Sequence, residues 1–430
     1  MRSIRRRLSE SGAQVSIGLL LAYINAFFFV QIAVVLGIIL LKRNGAGAAV
    51  PNPPRLDAPP VAVGTWTGLR EFRVIRREFA DRARTQCSFY LQPADGGTLP
   101  AYKPGQFLTF ALKVPGGDGD ENLGEATIRR CYSLSDRPGS GSYRITIKRA
   151  LAPLDRPELA PGVSSGHFHD RINVGDVLSV AAPAGKFLLE TDADVPAVFV
   201  AGGVGITPLM SMLRWSLEEQ PGRTVHLYYG VRSGEEQAFK TELAGLVVAH
   251  PGFLLNVVYS KPGPADRQGS DFQFTGHVDL EMLRRTLPHG RHQFYICGPA
   301  PMMESLVPAL VRWGVPQKDV HFEAFGPATV RLDSAPATDA AGLSGLPFDI
   351  RFRRSGRTLA WNGEDANLLD FAERHGVVVS SGCRSGSCGS CETGFADGAV
   401  HYEHTPDYEV RPGHCLLCVG KPESALVLQA

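Results

Sequence analysis

Residues 198–213 read VFVAGGVGITPLMSML. An apolar run enters Gly202-Gly203, a third glycine follows at Gly205, and Thr207-Pro208 opens a stretch with helical spacing. The order predicts a buried strand, a tight glycine turn and a helix start. Such a turn directs backbone N–H groups and a helix N-terminus at a phosphate. The full G-x-G-x-x-G spacing is missing, and a purely structural strand–turn–helix accounts for the same residues. The texture continues on either side. TVHLYYG (224–230), LLNVVYS (254–260) and QFYICGP (293–299) are apolar runs, with helical stretches such as PLMSMLRWSLEE (208–219) between several of them. That alternation predicts a parallel α/β domain over 191–327, whose ligands bind at the carboxyl ends of the strands. Arg232 and Cys297-Gly298-Pro299 stand at such ends. An arginine there suits a ribose 2′-phosphate, whereas a free cysteine there is as readily a small buried apolar residue.

Upstream, residues 64–190 carry short alternating runs with Gly and Pro punctuation, among them QFLTFAL (106–112), YRITIKR (143–149) and DVLSVAA (176–182). Strands at this spacing predict a small antiparallel β-barrel. Within it lies RRCYSLSD (129–136). An arginine pairs with phosphate, a tyrosine stacks on a flat ring, and a serine hydrogen-bonds a ring nitrogen.

Downstream, residues 328–346 are rich in Ala, Ser, Gly and Pro and read as a linker to a last domain over 347–430. There SGCRSGSCGSCETG (381–394) packs three cysteines into nine residues, and Cys415 and Cys418 follow. Five of the eight cysteines thus lie between 383 and 418, which points to a local metal or redox site rather than a disulfide framework. Cys383-x4-Cys388-x2-Cys391 with one distant cysteine has the plant-type [2Fe–2S] spacing. A zinc site more often shows two C-x2-C pairs. The spacing alone leaves the fourth ligand open between Cys415 and Cys418.

The N-terminus differs from the rest. Residues 15–41 carry no charge and, as a helix, reach about 40 Å, enough to cross a bilayer. The basic segment 1–14 precedes them, and a proline-rich spacer over 42–63 follows. The expectation is a single-pass membrane protein in contact with the lipid bilayer through 15–41. The balance of flanking arginines leans toward a cytoplasmic N-terminus, but reduced thiols and a nicotinamide cofactor place the catalytic domains on the cytoplasmic side. A formal net charge of +1 gives no reason to expect nucleic acid.

Taken in order, these motifs resemble the ferredoxin–NADP reductase superfamily, most closely the reductase portion of bacterial flavohemoglobins, followed by a plant-type ferredoxin. The resemblance implies a multidomain fold: the transmembrane helix, an antiparallel β-barrel for FAD, an α/β parallel-sheet NAD domain and an α+β β-grasp ferredoxin domain. It implies that Arg130, Tyr132 and Ser133 hold the flavin, with Phe107 of AYKPGQF, and Ser165 and Gly166 of GVSSGHFHD, beside it. Gly203, Gly205, Thr207 and Pro208 are implied at the dinucleotide, joined by Arg232, Gly298 and Pro299. The resemblance further implies that Cys297 assists hydride transfer, that Ser133 and Glu323 act with it, and that Phe325 of HFEAFGP closes over the flavin. The ending Leu416-Leu417-Cys418-Val419-Gly420-Lys421-Pro422 resembles the family's Leu-x-Cys before Pro, which makes Cys418 the fourth ligand with Cys383, Cys388 and Cys391. FAD is favoured over FMN and NADH over NADPH. No globin precedes the reductase, so haem chemistry is not carried over. The implied activity is NAD(P)H-dependent electron transfer through FAD and [2Fe–2S] to a protein acceptor, membrane-bound or free, of oxygenase, desaturase or cytochrome type. NADH:quinone electron transfer and a flavin/iron–sulfur sensor are the alternatives.

Overall fold

The computed structural model describes residues 66–114, 126–152, 160–192, 194–325, 347–384, 386, 388–403, 406 and 408–430. All of them fall in one compact unit, Ala62–Ala430.

The first six strands are β1 (Leu69–Phe79), β2 (Gln86–Pro93), β3 (Phe107–Val114), β4 (Ala126–Ser133), β5 (Tyr143–Lys148) and β6 (Val177–Ala184). They pair antiparallel in the order β4-β3-β6-β1-β2-β5. A bridge between Leu134 and Ile145 joins the two ends, so the sheet closes as a barrel. Closure leaves no exposed sheet edge there. Phe72, Val74, Phe89, Leu108, Phe110 and Ile145 fill the interior. The short helix α1 (Val163–Asp170) plugs one end with Phe168, which meets Phe89 and Phe110 edge-on.

Next comes a parallel sheet of β7 (Ala197–Gly202), β8 (Val225–Val231), β9 (Phe253–Tyr259), β10 (Phe274–Thr275), β11 (Gln293–Gly298) and β12 (Val320–Ala324), in the order β10-β9-β8-β7-β11-β12. β7 and β11 are buried along their whole length, which is why they read as unbroken apolar runs. Helices α2 (Ile206–Glu219) and α3 (Lys240–Ala249) cover one face. Helices α4 (Leu280–Thr286) and α5 (Ala300–Arg312) cover the other. Strand order reverses between β7 and β11, and such a reversal opens a crevice. Barrel and sheet are joined by a charged cluster: Arg144 of β5 meets Glu242 of α3 at 2.9 Å, and Arg214 of α2 meets Asp136 at 2.9 Å and Glu242 at 3.0 Å.

The last part has a five-stranded mixed sheet, β13 (Phe348–Phe352), β14 (Arg357–Trp361), β15 (Glu392–Asp397), β17 (His414–Leu416) and β19 (Leu426–Leu428), ordered β14-β13-β19-β15-β17. β16 (Val400–Tyr402) pairs with β18 (Gly420–Pro422). Helix α6 (Leu368–Arg374) packs Leu368, Leu369 and Phe371 into the core with Ile350, Phe352 and Trp361. Its N-cap is Asn367, whose side chain accepts from the Asp370 amide at 2.9 Å.

The expected transmembrane helix, the lipid-bilayer partner and the single-pass, cytoplasm-facing placement are corrected here. The longest described helix, α2 at 14 residues, reaches about 21 Å, short of the ~30 Å a bilayer core demands. Among the described residues no helix is long and apolar enough to cross a membrane. Residues 15–41, on which those expectations rested, lie outside the described residues. The described architecture is therefore a barrel, a parallel α/β sheet and a small mixed sheet.

Candidate functional site

The turn after β7 is a single 3-10 turn, Gly203–Gly205, leading into α2. Gly203 has φ +54 and open space where a side chain would stand, so its backbone faces a cavity bare. Gly205 is the opposite case. A Cβ there would lie 2.8 Å from the Gly298 nitrogen and closer still to the Cys297 carbonyl. The ends of β7 and β11 thus meet backbone on backbone. In front of them lies a cavity of about 590 Å³, lined by Gly202, Gly203, Gly230, Arg232, Glu236, Lys148, His277, Asp279, Pro299 and Met302 among others. Its walls come from the carboxyl ends of β7, β8, β9 and β11. This bare cradle of backbone fits a dinucleotide pyrophosphate. Of the residues expected at the dinucleotide, Gly203, Arg232 and Pro299 line the cavity, whereas Gly205, Pro208, Cys297 and Gly298 form its buried backing. Burial, then the Glu323 charge, pushes the Cys297 thiol well up, so it stays protonated.

Thr207 faces a second cavity, of about 450 Å³, on the far side of the same turn. Phe107, Arg130, Tyr132, Ser133, Ser165, Glu323 and Phe325 line it too, with Ser164, Val204 and Ser381–Cys383. The β3–β4 register sets Phe107 opposite Ser133. Tyr132 is fixed by its hydroxyl, 2.7 Å from Ser164 Oγ, and by Phe168 edge-on at 5.2 Å. Arg130 rests on the Arg129 carbonyl at 2.7 Å. No side chain caps α1, whose first turn opens on this cavity. Its amides remain for an anion. Ser165 Oγ donates to the Gly162 carbonyl and accepts from the Ala150 amide, both at 3.0 Å. Gly166 does not line the cavity: its amide is spent on the Gly162 carbonyl within the helix.

Glu323, beside Cys297 in the β11–β12 register, has a buried Oε2 with no hydrogen-bond partner among the described residues. Burial, with the nearby Cys383 thiol adding to it, pushes the carboxyl up to about 8, against a Ser133 hydrogen bond that lowers it. An orphaned buried oxygen, a fixed aromatic and bare helix amides together fit a flavin nucleotide. Sequence reasoning missed Lys148, which lines both cavities, and Ser164. Lys148 takes an ordinary polar position in the alternation of YRITIKR, so the sequence carried no signal for it.

The third centre adjoins the second through Cys383. Backbone N–H groups of Cys383 and Ser390 point at Cys388 Sγ at 3.3 and 3.4 Å, and that of Cys418 at Cys391 Sγ at 3.5 Å. The Cys418 thiol touches those of Cys383 and Cys391, and Cys388 touches Cys383. Cys415, in β17, makes no such contact. Burial, then the charges of Cys391 and Glu392, pushes its thiol up to about 12. No three His, Cys, Asp or Glu side chains among the described residues converge as a single metal ion requires. The thiols of Cys383, Cys388, Cys391 and Cys418 instead form one connected set, the four-thiolate donor set of a two-iron cluster.

Comparison with known proteins gives the family. The family model described as "Oxidoreductase NAD-binding domain" matches residues 199–307, and "2Fe-2S iron-sulfur cluster binding domain" matches 350–423. A flavohemoprotein of Halalkalibacterium halodurans is 39% identical over 267 residues, 62% of this chain and 62% of that protein. The chain therefore spans less than two thirds of the curated relatives it matches. The FAD/NAD-binding domain of nitric oxide dioxygenase from Vibrio cholerae O1 biovar El Tor is 31% identical, with a TM-score of 0.51, over 60% of this chain and 100% of that one. An intact type IV self-sufficient cytochrome P450 monooxygenase shares the fold over 84% of this chain and 41% of its own, at 23% identity and a TM-score of 0.51.

Proposed function

Because the chain belongs to the ferredoxin–NADP reductase superfamily, as a flavohemoprotein-type FAD/NAD module fused to a C-terminal [2Fe–2S] domain, we propose that it passes single electrons from its cluster to a separate protein acceptor of oxygenase, desaturase or cytochrome type. The chain is an NAD(P)H-dependent FAD/[2Fe–2S] oxidoreductase. When bound, NAD(P)H supplies a hydride, FAD accepts the pair and releases it singly, and the [2Fe–2S] cluster carries one electron at a time. The working divisions are 64–190 for FAD, 191–327 for the nucleotide and 347–430 for the cluster.

The residues divide the work. Gly203 offers its bare backbone to the pyrophosphate of the nucleotide, while Val204 and Thr207, on the same turn, face the flavin cavity. One turn therefore sets the distance between the two bound groups. Arg130 and the α1 amides hold the flavin phosphates, and Tyr132 and Phe107 present aromatic faces to its ring. Phe325, half-exposed at the end of β12, covers the cavity mouth and excludes water. Burial raises the Glu323 carboxyl and so favours its protonated form, and Ser133, hydrogen-bonded to it, lines the same cavity. Cys297 stays a thiol and fills the space behind the nicotinamide end. Cys383, Cys388, Cys391 and Cys418 hold the cluster, which Cys383 brings to the flavin cavity.

The observation that carries the reading is that last one: a cluster ligand lines the same cavity as Phe107, Ser133 and Glu323. Anaerobic addition of NADH to the full-length holoprotein, followed by EPR, tests it. The expected result is a reduced-cluster signal together with flavin bleaching, and cytochrome c reduction that is lost in Cys418→Ser. Flavin bleaching with no cluster signal, or cytochrome c reduction untouched by Cys418→Ser, would refute transfer through the cluster.

A further inference from the structure

The nucleotide cavity carries a charge arrangement that bears on which nucleotide it accepts. Its lysine and arginine are Lys148, from β5 of the barrel, and Arg232, from the end of β8; His277 lines it as well. Both cations face one carboxylate. Glu236 Oε2 lies 3.2 Å from Lys148 Nζ, and Glu236 Oε1 lies 3.6 Å from Arg232 Nη1. The other acidic lining residue, Asp279, is engaged elsewhere, its carboxylate accepting from the Met282 amide at the start of α4.

Glu236 is also fixed in place. Its backbone N–H donates to the Ser233 carbonyl at 3.2 Å, and its carbonyl accepts from Gln86 Nε2 of the barrel at 2.9 Å. Its side chain is less exposed, at 22%, than those of Lys148 at 37% and Arg232 at 59%. The carboxylate is therefore the anchored member of the trio, and the cations come to it.

We propose that Glu236 sets the nucleotide preference, excluding the 2′-phosphate of NADPH by engaging Lys148 and Arg232 in front of it. A 2′-phosphate brought to Arg232 must detach the guanidinium from Glu236 and then sit beside a carboxylate whose remaining cation is Lys148, at 3.2 Å. Like charges at short range in a partly dry cavity repel more than they would in open water. NADH brings a 2′-hydroxyl to the same place, for which Glu236 is an acceptor. The inference rests on the reading that this cavity takes a nicotinamide dinucleotide.

The test measures kcat/KM for NADH and NADPH with ferricyanide, on full-length holoprotein, in the wild type and in Glu236→Gln and Glu236→Ala. Binding of 2′,5′-ADP and of 5′-AMP is measured alongside by calorimetry. The wild type is expected to prefer NADH by at least about tenfold. Glu236→Gln is expected to raise the NADPH-to-NADH ratio by about tenfold or more, equivalent to ~1.4 kcal/mol, and to tighten 2′,5′-ADP while leaving 5′-AMP within threefold. A wild type that prefers NADPH overturns the proposal with no variant needed. So does a ratio that stays within threefold of wild type in whichever variant retains NADH oxidation. A wild type that oxidises neither nucleotide overturns the dinucleotide reading itself, and with it the proposal.

Discussion

Gly205 and Gly203 stand two residues apart on one turn, yet substitution should act on them by different physics. Gly205 has ordinary right-handed backbone angles, φ −60 and ψ −9, so alanine carries no conformational penalty there. The cost is space. A Cβ would lie 2.8 Å from the Gly298 nitrogen, at least about 0.6 Å inside the 3.4 Å where ordinary contact begins, with the Cys297 carbonyl nearer still. The atoms in the way are backbone of a wholly buried strand, which cannot rotate aside. Relief requires β7 and β11 to separate at the crevice. Overpacking of this kind costs about 1–3 kcal/mol, and occasionally more, when side chains give way; rigid backbone puts Gly205→Ala at the top, about 3 kcal/mol or more. Gly203→Ala meets nothing within 4 Å but must hold φ +54, at roughly 1–2 kcal/mol. In thermal unfolding of the holoprotein, followed through the nucleotide domain, the two should separate. Gly205→Ala is expected to lower Tm by roughly 10 °C, and Gly203→Ala by roughly 3–5 °C. Gly205→Ala should also weaken NADH binding, because the cradle moves. Equal Tm losses, or a Gly205→Ala protein within 1 °C of wild type, would refute the claim that backbone contact between β7 and β11 shapes the turn.

Three further outcomes are expected. Cys418→Ser should lose the visible absorption and iron of the cluster, whereas Cys415→Ser should keep both and show only lowered stability, because its thiol is buried without a role in the donor set; iron analysis decides. Glu242→Ala takes the ion-pair partner from Arg144, 4% exposed, leaving it the Asp136 charge and the Ser135 carbonyl, and should cost about 3 kcal/mol, read as a fall in the melting temperature with early loosening between barrel and α/β sheet. His226 is buried beside His292, and burial first and the His292 charge second push it down to about 4 from 6.5. A folded value below the unfolded one means the unfolded chain binds the proton more readily. This residue's contribution is therefore intact above pH 6.5 and is lost as pH falls from there toward 4. The loss is at most about 3 kcal/mol, and a stability profile in which His226→Phe runs parallel to wild type across that window would contradict it.

Much of this was legible because the chemistry imposes spacing on a short stretch. The cysteine loop, the Arg130–Ser133 run and the turn at Gly203 are each local, and the fold sets Cys383 and Cys388 together, Tyr132 and Ser133 in one cavity, and Gly203 bare. Residues that meet only through the fold were not legible. Glu236 reads as one more acid on a polar turn, and its role exists only because β5 of the barrel delivers Lys148 to the same cavity. Gly166 shows the limit from the other side. It sits in the expected segment, but 3.6 residues per turn carry it around α1, away from the cavity. The membrane expectation rested on composition alone, and none of the described helices has the length to support it.

The most consequential feature is shared by two domains and has no motif of its own. Successive residues of a strand point to opposite faces, and β4 uses both. Tyr132 turns inward to Phe168 and is tied to Ser164. Its neighbour Cys131 points the other way, beside Thr109 Oγ1 at 3.4 Å, and reaches the Cys388 thiol. Two residues earlier, on that same outer face, Arg129 lies over the Tyr408 ring at 5.9 Å, and its carbonyl lies 3.5 Å from Ser390 Oγ. One strand therefore serves both sites: Arg130, Cys131, Tyr132 and Ser133 line the flavin cavity, and Cys131 and Arg129 also meet the cysteine loop. A one-residue slip in the β3–β4 register would turn each of these side chains to the opposite face and dismantle both sites together. The eight successive partners from Phe107–Ser133 to Val114–Ala126 hold that register. The cysteine loop is thus held at the flavin cavity by its contacts with β4 and by Cys383, which lines that cavity, not by the linker over 328–346, and lengthening that linker should leave cluster reduction by NADH intact.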